Sequence, residues 1–387
     1  MNKIITYLTA AAIVFDIFTP FQLYFAGGRA LMFLIPTVLI ILKDRLFLRQ
    51  TFIPLIVYLV VCFIVMIAGS EFFNYPYLIQ VAFVYACLEH FLLTKDFYYS
   101  RIVLVSVYAT LLVMVAVSLP LFISMPNLSR LMLDAEENGI TDPILYWSMQ
   151  YSTLHALPIY SIPLFYLSRN RKGIIKYISI ISIIAIFILM FYADTTTGVI
   201  VNIAVFASLM IYKERLSLQK NIARLFSLGV LLLVLLNKSI LISILLLLQP
   251  IFEGSSTHVK IDEMITSLSG QTSEGDLAAR ERLLQTSWNS LLSNPLLPEF
   301  DYSKIGHHNF IIDQIVVLGL LPSIPFFVFI VERIKRPLSI LSSKAKPYYL
   351  MGVIVFLIMG FLKNFFLLLP ACAILPILFI TEELNKK

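Results

Sequence analysis

Apolar residues fill long uninterrupted runs over most of this chain, and polar residues are confined to short connections and one long segment. A helix needs roughly 20 apolar residues to cross a bilayer. Twelve such runs can be placed, of which the second and eighth are short. They lie at about 4–25, 29–42, 51–69, 73–93, 101–123, 143–168, 173–193, 198–212, 222–239, 309–332, 347–363 and 365–381. The pattern predicts one all-α polytopic membrane protein over residues 1–387, with about twelve transmembrane helices.

Composition supports the same class. Hydrophobic residues make up 59% of the chain, charged residues make up 13%, and the mean hydropathy is +0.89. Soluble domains carry about 25% charged residues. The first apolar run continues through Phe25 without a cleavage site, which favours a first span over a signal peptide.

The basic residues predict the orientation. If the N-terminus is cytoplasmic, most of the 29 Lys and Arg residues fall in inner loops. The outer side then holds only Arg29, Arg130, Lys260, Arg280, Arg282, Lys304 and Lys363, with Lys238 near the end of a span. Since cytoplasmic loops are rich in Lys and Arg, we expect both termini to be cytoplasmic. The same distribution explains the net charge of +6, so no nucleic-acid partner is predicted.

Two outer loops stand out, one over 124–142 and a longer one over 250–308. In the longer loop, Asp276 and Asn294-Pro295 are typical of a helix start and stop, which predicts a helix over 277–293. Helical spacing puts Arg280 on the same apolar, buried or membrane-facing stripe as Leu284 and Trp288, whereas Arg282 should face water.

An arginine on an apolar stripe needs an anionic partner, because burying its charge unpaired is costly. One interpretation is that Arg280 binds a diphosphate through charge-assisted hydrogen bonds. The alternative is a structural ion pair with Asp276, Glu281 or Glu299. Arg130 and Arg29 are further candidates for the same anion, or else surface and snorkelling residues.

His308 and Asn309 lead into the tenth span, and Asp313 follows Asn309 by four residues on the same helical face. Histidine can accept a proton near neutral pH, and a nearby carboxylate would orient its ring. We therefore consider His308 a candidate general base that deprotonates a sugar hydroxyl. The alternative is a helix-start histidine bonded to backbone or headgroups, and the sequence does not rank His307 against His308.

Other chemistry has less support. Glu299, Asp301, His307 and His308 lie close in sequence but lack a metal-ligand spacing, so neither a metal nor a cofactor is predicted. The polar break at 194–198 between the seventh and eighth spans is either a tight turn or a wall of the same cavity.

These residues resemble a known signature. The order Leu277-Ala278-Ala279-Arg280, Trp288, Asn294-Pro295, His308-Asn309, Asp313 and Leu318-Gly319-Leu320-Leu321 is similar to that of the O-antigen polymerase and O-antigen ligase superfamily of bacterial membrane glycosyltransferases. The likeness in signature residues covers about 278–321, and the likeness in topology covers the whole chain.

The resemblance implies a GT-C-like protein of the bacterial inner (cytoplasmic) membrane that acts in lipopolysaccharide biosynthesis. Its substrate would be an undecaprenyl-diphosphate-linked oligosaccharide, transferred without a metal at the periplasmic face. Arg280 and His308 match the family's loop arginine and histidine. The residues expected to contact substrate are Arg282, His307, Asn309, Asp313, Arg130 and Arg29. A chain-length regulator and a flippase are the expected protein partners.

The chain departs from the family twice. Pro295 is followed by Leu296 where members often have Gly-x-Gly, and the arginine often found after the seventh span is missing, so Arg130 or Arg29 would replace it. The short stretch between Arg280 and His308 favours a polymerase over a ligase that uses lipid A core. A twelve-span transporter or flippase is the alternative class, although such proteins usually have two similar halves.

Overall fold

The computed structural model describes residues 2–18, 28–70, 72–125, 128, 147–193, 195–211, 276–363 and 368–384, with short stretches between 242 and 269. In these residues the secondary structure is helical, without strands. The α-helices are α1 (Asn2–Ile17), α2 (Gly28–Lys43), α3 (Phe52–Ile67), α4 (Tyr75–Thr94), α5 (Phe97–Ser124), α6 (Tyr151–Asn170), α7 (Ile174–Tyr192), α8 (Thr196–Ile211), α9 (Asp276–Ser293), α10 (Phe310–Leu318), α11 (Leu320–Ile340), α12 (Lys346–Leu362) and α13 (Leu375–Leu384). Short 3-10 helices cover Leu46–Leu48, Gln249–Phe252 and Tyr302–Lys304, and a π-helix covers Pro370–Ile374.

The prediction of an all-α structure is confirmed for the described residues, and the helices are compatible with a membrane protein. Among the described residues, α4, α5 and α7 are long and apolar enough to cross a bilayer, and four shorter helices are also apolar. The count of twelve spans and the orientation stay predictions. The ninth predicted span, 222–239, lies outside the described residues, as does nearly all of the predicted loop over 124–142.

Burial separates inner helices from outer ones. Every residue of α6 from Leu154 to Tyr166 is buried, and α4 and α13 are buried over most of their lengths. Outer helices instead turn apolar side chains away from the protein, as Ile64 of α3 and Ile181 of α7 do. A helix that is apolar on its outward face suits a lipid environment, so this exposure agrees with a membrane protein.

The tenth span is not one helix. We predicted a single span over 309–332, but α10 ends at Leu318 and α11 begins at Leu320. Gly319 between them has φ of 78°, and a Cβ there would lie 2.6 Å from the carbonyl oxygen of Leu296. The N–H of Leu320 donates to the carbonyl of Pro295 at 2.8 Å. The segment that follows α9 therefore packs directly against the break, which glycine alone accommodates without strain.

A buried ionic cluster joins α4 to α11. The carboxylate of Glu89 accepts hydrogen bonds from both Arg333 and Arg336, and the Arg333 side chain is 0% exposed. The Arg333 guanidinium also lies over the Tyr85 ring, 4.8 Å from its centroid. Arg333 directly follows the tenth span predicted over 309–332, but α11 continues through it to Ile340 and its side chain is buried. Because a buried charge is tolerated only with a counter-ion, this pairing holds the two helices together.

Candidate functional site

The helix predicted over 277–293 corresponds to α9, which spans Asp276–Ser293. Its packing against the protein differs from the buried alternative for the apolar stripe. Ser287 and Ser290 are buried, whereas Leu284 and Trp288 of the apolar stripe are exposed. These two positions of the stripe are therefore not buried, and the membrane-facing alternative stays a prediction. Arg282 is exposed, as expected, and the side chain of Arg280 lies outside the described residues.

Ser287 and Gly306 bring α9 against the segment that carries the histidines. The N–H of Gly306 donates to Ser287 Oγ at 2.7 Å, and the Ser287 hydroxyl donates to Asp313 Oδ1 at 2.6 Å. A Cβ on Gly306 would lie 2.0 Å from the carbonyl oxygen of Leu283. The close approach of the two backbones therefore requires glycine at 306.

The carboxylate of Asp313 accepts a hydrogen bond from the backbone at the start of α10. Its Oδ2 accepts the N–H of Asn309 at 3.0 Å, its Oδ1 accepts Ser287, and its side chain is fully buried. A carboxylate at a helix N-terminus also satisfies a backbone donor that lacks a partner within the helix. Asp313 thus holds the His308-Asn309 turn in place, and both of its oxygens accept protein donors rather than facing a cleft.

The structure separates the two neighbouring histidines. His307 has φ of 53°, a left-handed conformation that is uncommon outside glycine. Its ring packs on Phe72, with centroids 6.1 Å apart. His308 instead lines a cleft together with Asn309. The left-handed backbone at His307 therefore separates the surroundings of the two rings, which periodicity alone could not reveal.

The cleft beside His308 has a volume of about 440 Å³. Its walls come from α8, α9, the start of α10 and the end of α12, through Thr197, Ile200, Val201, Glu281, Leu284, His308, Asn309, Phe361 and Leu362. Small-molecule sites are typically concave and mostly apolar, with a few converging polar groups and volumes of about 300–1,000 Å³. Thr197 belongs to the polar break at 194–198, so that break does contribute a cavity wall.

The acidic residues of the neighbouring loop have partners within that loop. Glu299 lies 3.6 Å from Lys304 Nζ, and its Oε1 accepts the N–H of Asp301 at 3.0 Å. Asp301 Oδ1 accepts the hydroxyl and the N–H of Ser303, and the hydroxyl bond in particular lowers the pKa of Asp301. Within the described residues, no three His, Cys, Asp or Glu side chains lie close enough to hold a metal ion.

The remaining predicted ligands are not brought to the site by the described residues. Arg130 lies outside them, and of Arg29 only the backbone, at the start of α2, is described. Lys363 was not singled out, yet it is buried at the end of α12, where its carbonyl accepts the N–H of Phe310 at 3.1 Å. Its Nζ lies over the Tyr151 ring, 5.6 Å from the centroid. In the sequence, Lys363 could have been noticed as a single lysine between the last two apolar runs.

The chain matches no family model, no curated protein and no solved structure. The resemblance to the O-antigen superfamily therefore stays a prediction that rests on the residues named above.

Proposed function

We propose that this protein is an O-antigen-type glycan polymerase of the bacterial inner membrane. It transfers a growing glycan from undecaprenyl diphosphate onto a lipid-linked repeat unit at the periplasmic face. The observation that supports this most strongly is the cleft in which His308 and Asn309 face α9, the helix that carries Arg280. Position 280 precedes the cleft residue Leu284 by four residues, so both positions share one face of α9.

In the proposed reaction, His308 takes the proton from a hydroxyl of the acceptor sugar. The hydroxyl oxygen then bonds to the anomeric carbon of the donor glycan, and the bond from that carbon to the diphosphate oxygen breaks. Undecaprenyl diphosphate leaves with the electron pair. Arg280 stabilises the charge on the leaving group, an electrostatic role that arginine can fill without a metal ion.

The walls of the cleft suit a substrate with both a polar and an apolar part. Ile200, Val201, Phe361 and Leu362 form an apolar surface on which a polyprenyl chain can pack, and Thr197 adds a hydroxyl. In this account Asp313 is a positioning residue, because its oxygens hold the backbone that presents His308.

The break at Gly319 supports a second candidate, a transporter or flippase. Discontinuous helices frequently form the substrate sites of transporters, and α10 and α11 form such a pair. The cleft at His308 lies at the start of α10 rather than at the break, which favours transfer chemistry over transport.

One experiment separates these candidates. Purified protein is incubated with a single lipid-diphosphate-linked repeat unit, without lipid A core, and the products are resolved by size. A ladder of longer lipid-linked glycans is the expected result. A transfer that appears only after lipid A core is added would point to a ligase. The absence of any glycosyl transfer under both conditions would contradict the proposal and favour transport.

A further inference from the structure

A second cleft, of about 290 Å³, opens at the end of the bundle where α4 and α6 begin. It lies between the end of α1, the starts of α4 and α6, and the residues at the start of the π-helix. Its polar wall includes Asp16, Asn74, Tyr77, Gln80, Gln150 and Tyr160. None of these residues belongs to the site around His308, and the resemblance to the O-antigen superfamily did not suggest any of them.

The chemistry of this wall indicates an uncharged ligand that is rich in hydroxyl groups. Its described lining residues supply one carboxylate, three carboxamides, two aliphatic hydroxyls and two phenols, but no lysine or arginine. A carboxamide offers donors and an acceptor side by side, which matches sugar hydroxyls that both donate and accept. An anionic ligand would instead need a cationic partner within the cleft.

The wall is also prearranged. Gln80 is buried, and its Nε2 donates to Asp16 Oδ1 at 3.2 Å. Asn74 caps α4 by accepting the N–H of Tyr77 at 2.9 Å. Polar side chains are expensive inside a membrane protein and are therefore a default signal of function. Here they converge on one cavity, whereas isolated buried polar residues usually satisfy only local backbone groups.

Hydrogen bonds connect this cleft to the helix that follows His308. The Tyr77 hydroxyl lies 2.7 Å from that of Tyr58 and accepts from Gln314 Nε2 at 3.1 Å, while Tyr58 donates to Gln314 Oε1 at 2.9 Å. Gln314 is on α10, five residues after Asn309. Phe73 packs on Tyr77, and the neighbouring Phe72 packs on His307.

We infer that this polar cleft, formed around Asp16 and Gln80, binds a neutral sugar of the acceptor repeat unit. The inference rests on the proposed function, and it divides the substrates between the two clefts. The polyprenyl diphosphate of the donor occupies the largely apolar cleft at His308, and a sugar of the acceptor occupies the polar one.

The test measures sugar binding without catalysis. The probe is the repeat-unit oligosaccharide released by mild acid from the lipid carrier of a source strain that lacks this gene, labelled at its reducing end. Equilibrium dialysis with detergent-purified protein gives the affinity. We expect Gln80→Leu to weaken binding at least tenfold and the nearly isosteric Thr153→Val to weaken it severalfold. The control Gln50→Leu, at an exposed position outside both clefts, should bind as the wild type does.

Two results would overturn the inference: no binding by the wild-type protein, or wild-type affinity in both cleft variants. Thermal unfolding of each variant in detergent identifies any that are misfolded, and Thr153→Val keeps the test decisive if Gln80→Leu does not fold. Failure of the proposed function looks different, because it would appear as a wild-type protein that binds the oligosaccharide through Gln80 yet makes no glycan ladder.

Discussion

Two polar regions lie at opposite ends of α4 and differ in what their charged and polar groups face. Near the start of the helix, the cleft of Gln80 presents polar side chains to a volume of about 290 Å³. The cleft of His308, of about 440 Å³, is lined by α8, α9, α10 and α12. Glu89 lies 14 residues after Tyr75, about 21 Å farther along at 1.5 Å per residue. There its carboxylate is enclosed by Arg333 and Arg336.

The difference distinguishes structural charges from functional ones. At Glu89 the counter-ions come from the protein itself, so the cluster stabilises the packing of α4 against α11. At the clefts the polar side chains bond to one another, as Gln80 does to Asp16, and also line a cavity that a ligand can enter. Substitutions should therefore lower the stability of the protein at the Glu89 cluster and its activity at the clefts.

A large effect on activity is expected at α9, the helix that carries Arg280. We expect Arg280→Ala to reduce polymer growth by about 10²–10³-fold, the usual loss when one electrostatic contact to a leaving group is removed. Membrane abundance should stay unchanged. The measurement is the length distribution of glycan in cells, with immunoblotting for the protein.

Two matched variants sharpen this prediction. Lys304→Ala removes a cation from the exposed ion pair with Asp301 in the segment after α9. Surface pairs contribute about 0–1 kcal/mol, so polymer growth should persist. Glu281→Gln tests the alternative that Arg280 serves only in an ion pair. Equal losses in Arg280→Ala and Glu281→Gln would favour the ion pair over diphosphate binding.

The second effect is on stability at the ionic cluster. Glu89→Leu leaves Arg333 buried without its counter-ion, and breaking a buried pair from one side costs about 3–5 kcal/mol. The double variant Glu89→Leu, Arg333→Leu should recover much of this loss, because replacement of the whole pair by apolar residues is often close to neutral. Denaturant titration in detergent measures the unfolding free energies of the single and the double variant. A double variant as unstable as the sum of the single ones would contradict the structural role.

The smallest effect is expected at Ser287, which packs α9 against the segment that carries His308. Ser287→Ala removes the donor to Asp313 Oδ1 and the acceptor of the Gly306 N–H. The unfolding free energy should fall by about 1–3 kcal/mol, the usual consequence of an unsatisfied buried polar group. Ser293→Ala, at an exposed position of the same helix, should change it by less than about 0.5 kcal/mol. Equal unfolding free energies of the two variants would contradict the claim that Ser287 holds α9 against the segment with Gly306 and Asp313.

Local signals predicted local structure well. The stop at Asn294-Pro295 and the helical pattern before it gave a helix over 277–293, and α9 ends at Ser293. Long apolar runs likewise gave α3, α4 and α12 to within a few residues. These features depend on neighbours in the chain, which periodicity and capping describe directly.

Features that depend on distant residues were missed. The break at Gly319 follows from contacts with Pro295 and Leu296, and an apolar run does not reveal them. Arg333 pairs with a residue 244 positions away. Glu89 and Gln80 could have been noticed, since polar residues within apolar runs signal function or pairing, but their partners could not have been named.

The central claim is that His308 takes a proton during glycosyl transfer, and substitution of the two neighbouring histidines tests it most directly. Purified His308→Asn and His307→Asn proteins are incubated with the lipid-diphosphate-linked repeat unit, and initial rates of ladder formation are compared with the wild type. Loss of a general base should slow His308→Asn by about 10²–10⁴-fold, whereas His307→Asn, which keeps a residue tolerant of left-handed backbone, should still form the ladder. A His308→Asn protein that polymerises at the wild-type rate would contradict the account.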